Sequence, residues 1–274
     1  MISGITRAWQ DLPQYGSMVR AAIQSRMEYR GSFIMYILTI LGFYGAQIGV
    51  VVLMLYKFER IGTWERGQMA FLYSLLVIST GLVSAIFSGF LEFSEFVRQG
   101  TFDRVLLRPL SPLLSVLCMR FEPGGFANIV LGVVGFVVAN SLTEIRWTFE
   151  ALLMLILVLT GGVLIQGSIR IITAASAFFT VSNDGMQQLF VFSAREFLLY
   201  PVDIYNKPVR FALTFLFPLA FINFYPAHYF LAKDTGMLFH PLFVYLTFPV
   251  GIACMMLAIW FWRKAVRHYG STGS

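Results

Sequence analysis

Charge is the scarcest ingredient of this 274-residue chain: Asp, Glu, Lys and Arg make up 12% of it, against 58% hydrophobic residues. With a mean hydropathy of +0.74, the chain has too little polar surface to cover a soluble globule of its length. Lysine is scarcer still. None of Lys57, Lys207, Lys233 and Lys264 follows a glycine. The Gly-Lys-Ser/Thr phosphate cradle is therefore missing, and this polypeptide does not hydrolyse nucleotide by itself. The three histidines stand far apart without a paired His, Cys or Asp spacing, which argues against a metal site. No Gly-x-Ser-x-Gly nucleophile turn occurs, so no catalytic residue is assigned. Cys118 and Cys254 fall at different depths of the apolar pattern and read as packing residues rather than a disulfide. The net charge of +6 comes without a long basic tract interleaved with aromatics, which argues against nucleic acid and for flanks facing anionic lipid.

What is present in quantity is long apolar sequence. A bilayer core needs about 20 apolar residues per helix. Runs of that order, free of Asp, Glu, Lys and Arg, occur at Phe33–Tyr56, Met69–Leu91, Gly124–Thr143, Ala151–Ile169, Phe211–Ala232 and Pro241–Trp262. The fold class is all-α, a polytopic membrane protein in one transmembrane domain over 1–274 with six candidate spans. The first run is too long for a secretory signal and reads as a retained helix.

Arginines near the helix ends set the orientation. Arg7, Arg20, Arg26 and Arg30 precede the first span, Arg98, Arg104, Arg108 and Arg120 follow the second, and Arg263, Lys264 and Arg267 follow the last. An even number of spans puts all three groups, and both termini, in the cytoplasm. Lys57, Arg60, Arg66 and Arg146 fall on the other side, accompanied by Glu59, Glu65, Glu144 and Glu150.

Before the first span, Val19, Ala22, Ile23 and Met27 share one helical face and Arg20, Gln24 and Glu28 another, which predicts an interfacial amphipathic helix over 17–31. Gly45 and Gly49, then Gly81, Ala85 and Gly89, place small residues four apart, the spacing that lets membrane helices approach closely within one bundle.

Between Thr180 and Lys233 the pattern admits two topologies. In one, Phe211–Ala232 is a single span and Ser182–Arg210 a cytoplasmic loop, which keeps Arg195, Lys207 and Arg210 inside. In the other, Asp184–Tyr200 is a polar-faced span, with Asp184, Gln188 and Arg195 on one stripe. A following hairpin, broken by Pro218, Asn223 and Pro226, then dips into the outer leaflet and returns. Hydropathy and charge favour the first.

The seam after the second run, 92–123, carries the densest signal. Gly100 permits a sharp turn, Thr101 can cap, and Phe102–Arg108 can form a short helix with Asp103 at its positive end and Arg108 at its negative end, stopped by Pro109. Phe102, Val105 and Leu106 give it an apolar face too small to span anything. That face suits docking better than a loop that merely holds the topology.

Arg98-Gln-Gly-Thr-Phe-Asp-Arg-Val-Leu-Leu-Arg-Pro-Leu-Ser-Pro112 resembles the signature loop of bacterial type-2 ABC exporter permeases. Met27-Glu-Tyr-Arg30, the run Tyr200-Pro-Val-Asp-Ile-Tyr205 leading to Phe224-Tyr-Pro226, and the ending Arg267-His-Tyr-Gly-Ser-Thr-Gly-Ser274 are also similar to that family. The resemblance implies an elbow helix on the membrane, a cytoplasmic loop that contacts a separately encoded ATPase, and a re-entrant element at 204–233 before the last helix. It thereby favours the second topology, with Tyr200–Tyr205 at the outer surface. Contact with the ATPase would fall to Arg98, Gly100, Thr101, Phe102, Asp103, Arg104, Arg108 and Pro109.

The implied machine is an ATP-driven exporter in the bacterial inner membrane. Two permease subunits, identical or related, would enclose a path, and two ATPase copies holding ATP and Mg would move the coupling helices; no cofactor is expected on this chain. Because intramembrane charge is expensive, Asp184, Gln187, Gln188, Arg195 and Glu196 are the candidates for lining that path or locking the fifth helix. Arg170 reads as a snorkelling residue near a helix end. The alternative class is an ion-driven secondary transporter or channel without an ATPase, although neither inverted repeats nor a glycine-carbonyl filter is evident.

Overall fold

A computed structural model describes residues 60–107, 111–120, 122–180, 183–233, 236–237 and 239–269, together with scattered helical positions between 31 and 49. The interfacial helix expected over 17–31 lies outside the described residues except for Gly31, as do Arg108, Pro109 and the end of the first apolar run.

The continuously described chain begins at Arg60 with a two-stranded hairpin, β1 (Arg60–Ile61) and β2 (Trp64–Glu65), paired antiparallel around Gly62. Everything after it is helical or connecting. Helix α1 (Arg66–Phe87) continues through a 3₁₀ turn into α2 (Phe93–Arg98), so that Arg66–Arg98 forms one 33-residue candidate span. Then come α3 (Phe102–Leu106), α4 (Pro112–Cys118), α5 (Gly124–Leu142) and α6 (Phe149–Ser176). A composite helix α7 follows, made of Asp184–Gln187, a π stretch Gln188–Ser193, Ala194–Glu196 and a 3₁₀ turn Phe197–Leu199. A bent pair, α8 (Lys207–Leu216) and α9 (Leu219–Phe230), precedes the last helix, α10 (Thr247–His268).

Four of these helices are long and apolar enough to cross a membrane: Arg66–Arg98, Gly124–Leu142, Phe149–Ser176 and Thr247–His268. The all-α membrane class is thus plain. The helix bounds differ from the apolar runs where polar residues extend a helix. The last one starts at Thr247 rather than Pro241, because Pro241–Tyr245 forms a separate 3₁₀ turn. It ends at His268, where Arg267 and His268 meet the negative end of the helix dipole.

The bundle has two ends, and paired residues define them. At the hairpin end, Trp64 meets Asp203 and His228, while Trp147 meets Phe230. At the loop end, Phe102 meets Phe178 and Tyr269. Helix α1 is the central rod. Within its most apolar window 72% of residues are buried, against 22% for α5 and for α10, whose remaining faces suit lipid.

Glycines set the closest approaches. A Cβ on Gly125 of α5 would stand 2.7 Å from the backbone nitrogen of Ala85 and 2.8 Å from the Gly81 carbonyl oxygen. Gly161 of α6 and Gly251 of α10 form a second such seam, each facing backbone atoms of the other helix. The small residues Gly81 and Ala85 therefore pack the chain against itself. Gly45 lies outside the described residues.

Helix α7 leaves the loop end, where Asn183 Nδ2 donates to the Thr173 carbonyl at 2.7 Å, and reaches the hairpin end at Val202 and Asp203. The chain then turns through α8 and α9, whose axes differ by 77° across Phe217 and Pro218. Phe217 lies against Phe190 of α7 with ring centroids 4.9 Å apart. Both flanks of the pair are tied at the hairpin end: Arg210 donates to the carbonyls of Asp203 and Tyr205, and Lys233 Nζ donates to the Thr63 carbonyl at 2.6 Å.

Candidate functional site

The described residues of the segment 92–123 form three short helices at the loop end. Gly100 adopts φ +67°, the left-handed conformation that a side chain disfavours, and this reverses the chain between α2 and α3. Thr101 does not cap α3 as expected: its hydroxyl donates to the Phe96 carbonyl at 3.0 Å and closes the preceding turn instead. Asp103 occupies the first turn of α3, and the helix ends at Leu106.

Phe102 alters the expected docking face. Its side chain is fully buried within this chain. It stands edge-on to Phe93, Tyr269 and Trp262, with centroid separations of 5.2, 5.3 and 6.5 Å, and tilted against Phe178 at 5.2 Å. Val105 is buried beside it. Alternation around a single helical turn cannot distinguish a face that meets a partner from one that meets the chain's own bundle, and here the bundle takes Phe102 and Val105. What remains outward is Arg104, Leu106 and Leu107, the last with 86% of its surface exposed, and Arg98 on the neighbouring α2. Arg98 pairs with Glu95 one turn away. Arg120 gathers both Glu92 and Glu122, fixing the start of the segment to its finish.

The aromatic cluster joins α3 to the ends of three long helices. Phe93 extends the rod begun by α1, Phe178 follows α6, and Trp262 and Tyr269 belong to α10 and its end. Burial raises the Tyr269 phenol above its ordinary pKa, and the nearby Asp103 carboxylate raises it further.

A second polar feature lies inside the bundle. Helices α1 and α6 run parallel and meet on two polar rungs. Thr80 Oγ1 donates to Gln166 Oε1 at 3.1 Å; one turn on, Arg170 Nη2 donates to Ser84 Oγ at 3.1 Å and Nη1 to the Val83 carbonyl at 3.3 Å. Arg170 is only 5% exposed, so it does not snorkel to an interface. It sits about 9 Å, at 1.5 Å per residue, before the end of α6, and turns sideways into the helix packing. Thr80, Ser84, Gln166 and Arg170, with Asn128 of α5 and Arg195 of α7, line a cavity of about 230 Å³. Leu219 and Ile222 at the α8–α9 bend complete its wall.

Of the five polar residues expected to line a path or lock the fifth helix, the cavity takes in Arg195 alone. Gln187 is buried, its Nε2 donating to Asn183 Oδ1 at 3.2 Å. Asp184, Gln188 and Glu196 are exposed. The sequence carried a usable sign of the missed residues: Thr80 and Ser84 are four apart inside one apolar run, and Gln166 stands four before Arg170 at the end of another, so each pair shares a helical face.

The model of a family described as ABC-2 family transporter protein matches residues 34–273. No curated protein and no solved structure matches the chain.

Proposed function

The chain belongs to the ABC-2 family of transporter proteins, and from that premise we propose that it is an exporter permease that pairs with a second permease and is driven through its 92–123 segment by two separate ATPase subunits. As a permease it is a membrane transport component and not itself the ATPase. The observation that carries the coupling role is the burial of Phe102 among Phe93, Phe178, Trp262 and Tyr269. A force applied to α3 from outside would pass through packed rings into α2, the end of α6 and α10. Close-packed aromatics transmit displacement because they have little free volume to absorb it.

The surface receiving that force would be Arg104, Leu106, Leu107 and Arg98, with Arg108 and Pro109 adjoining in sequence. Gly100 and Thr101 shape the turn, Phe102 anchors it, and Asp103 faces Tyr269. ATP binding would close the ATPase pair and shift the permease between two access states by its differential affinity for them. This reading puts the loop end, with both termini, in the cytoplasm of a bacterial inner membrane.

The same reading makes α8–α9 a re-entrant hairpin in the outer leaflet and α7 the fifth span. It is supported by the ties of Arg210 and Lys233 at the hairpin end, where backbone carbonyls satisfy two cations that the positive-inside bias would place elsewhere. The broken backbone at Phe217 and Pro218 is covered by protein, including Phe190, as backbone at membrane depth must be. With the first apolar run included, six spans follow.

The test is co-expression with the genomically adjacent genes, mild detergent extraction and mass determination of the intact complex. Two ATPase copies with two permease subunits would establish the arrangement and show whether the permeases are alike. A chain that purifies without an ATPase under every condition would transfer the reading to an ion-driven carrier.

A further inference from the structure

Helix α7 carries an irregularity that its own sequence does not call for. Between Met186 and Leu199 there is neither proline nor glycine, the usual local causes of a break in a helix. Yet Gln188–Ser193 is a π stretch, and the Ala194 N–H donates to the Leu189 carbonyl five residues back. A bond of that span holds one residue more than the four-residue bond of an α-helix. The surplus is imposed by what holds the two ends.

Both ends are fixed. At the start, buried Asn183 donates to the Thr173 carbonyl at 2.7 Å, and buried Gln187 donates to Asn183. At the finish, Asn223 Nδ2 donates to the Leu198 carbonyl at 2.9 Å, and Leu198 and Val202 are buried. Between these anchors no residue of Gln188–Ser193 is buried. The middle of α7 thus has little packing to hold it in one form, and local rearrangement concentrates where buried contacts are few.

That middle borders the cavity. Phe190, Val191 and Phe192 line it, and Phe192 is also exposed, so one turn forms both wall and rim. Phe190 touches Phe217, whose N–H donates to the Ala212 carbonyl at 2.8 Å, again five residues back. The second part of α8, Ala212–Leu216, is accordingly another π stretch. Such turns collect at functional sites, and here two of them meet through one ring contact beside the 77° bend.

We propose that the surplus residue of α7 is the gate of this cavity. The π turn shifts along the helix between its two anchors, and each residue it passes turns about the helix axis by about 100°. When it passes Phe190 and Phe192, their rings swing across the rim, and the Phe190–Phe217 contact carries the movement to the α8–α9 bend. The gate goes beyond the permease reading and is tested on this chain without an ATPase, so that either can fail alone.

Deleting the exposed Leu189 removes the surplus and leaves α7 a regular helix between unchanged anchors. Melting of that variant in detergent should match wild type. Deleting the exposed Ile156 from α6, which has no surplus, turns one part of that helix against the other by about 100° and should destroy the cooperative melt. Amide hydrogen exchange reads the gate in the wild-type chain: the amides of 188–194 should exchange about tenfold faster than those of 166–170 on the opposite wall. Deletion of Leu189 should bring the two sets level and slow the Phe217 amide as well; with Phe190→Ala added, the Phe217 amide should no longer respond. Entry is read from Thr80→Cys in a chain whose Cys118 and Cys254 are replaced by serine, where the deletion should change the alkylation rate about tenfold. A Leu189 deletion as damaging as that of Ile156 would overturn the proposal. So would wild-type exchange at 188–194 as slow as at 166–170, or an alkylation rate that the deletion leaves unchanged.

Discussion

The indole Nε1 of Trp64 lies 3.1 Å from each carboxylate oxygen of Asp203, joining residues 139 positions apart at the hairpin end. Trp64 is fully buried, so Asp203 supplies the acceptor that its N–H would otherwise lack. Lys233 covers the same indole at 4.9 Å from its centroid. The three side chains tie the β-hairpin, the end of α7 and the chain beyond α9 into one cap.

Removing Asp203 should loosen that cap. Asp203→Ala leaves the indole N–H buried and unpaired, a loss of about 1–3 kcal/mol, whereas Asp203→Asn keeps an acceptor and should cost less. Melting of the detergent-solubilised chain measures both. Strict additivity of Asp203→Ala with Trp64→Phe would show that the pair is not coupled.

Anchor and contact should separate at the loop end. Phe102→Ala vacates a full aromatic site and should cost about 3–5 kcal/mol, read as a lower melting temperature. Replacing Arg104 by Ala and the exposed Leu107 by Ser should leave melting within about 0.5 kcal/mol of wild type while releasing the ATPase on co-purification. Undiminished ATPase retention by that double variant would count against the surface assigned here.

Two glycines of one helix should respond in opposite directions. Gly125→Ala puts a methyl against the Ala85 backbone nitrogen at 2.7 Å, which cannot yield without moving α1 from α5. Gly135→Ala meets only the Ser74 Cβ at 3.7 Å, an ordinary contact, and gains up to about 1 kcal/mol of helix propensity. The first should therefore lower and the second hold or raise the melting temperature; parallel effects would contradict the helix seam.

The Tyr269 phenol should titrate above the ordinary tyrosine value of about 10, because burial and then Asp103 oppose its anion. A raised folded-state pKa gives a stabilising contribution that is complete below the unfolded value and is lost as pH rises through the folded one. The ultraviolet difference spectrum between wild type and Tyr269→Phe should show tyrosinate only at the higher pH. Ionisation at the free-tyrosine value would remove Asp103 and burial as its surroundings.

The hydropathy of the chain alone carried the membrane class and the places of its apolar runs, because a bilayer's thickness sets the length of an apolar run and that length is read residue by residue. The turn at Gly100 was legible for the same local reason, and the family loop was legible because its order of residues is unusual. Tertiary structure decided which side of a short amphipathic turn meets the bundle. Phe102 and Leu107 are both apolar, and only the positions of Phe178, Trp262 and Tyr269 make one an anchor and the other surface. It also decided the cavity: Thr80, Ser84, Asn128, Gln166, Arg170 and Arg195 are scattered over four helices, and their polarity becomes a site only where helix crossings bring them to one depth. Local sequence fixes what each residue can do; the packing of distant segments fixes what it faces.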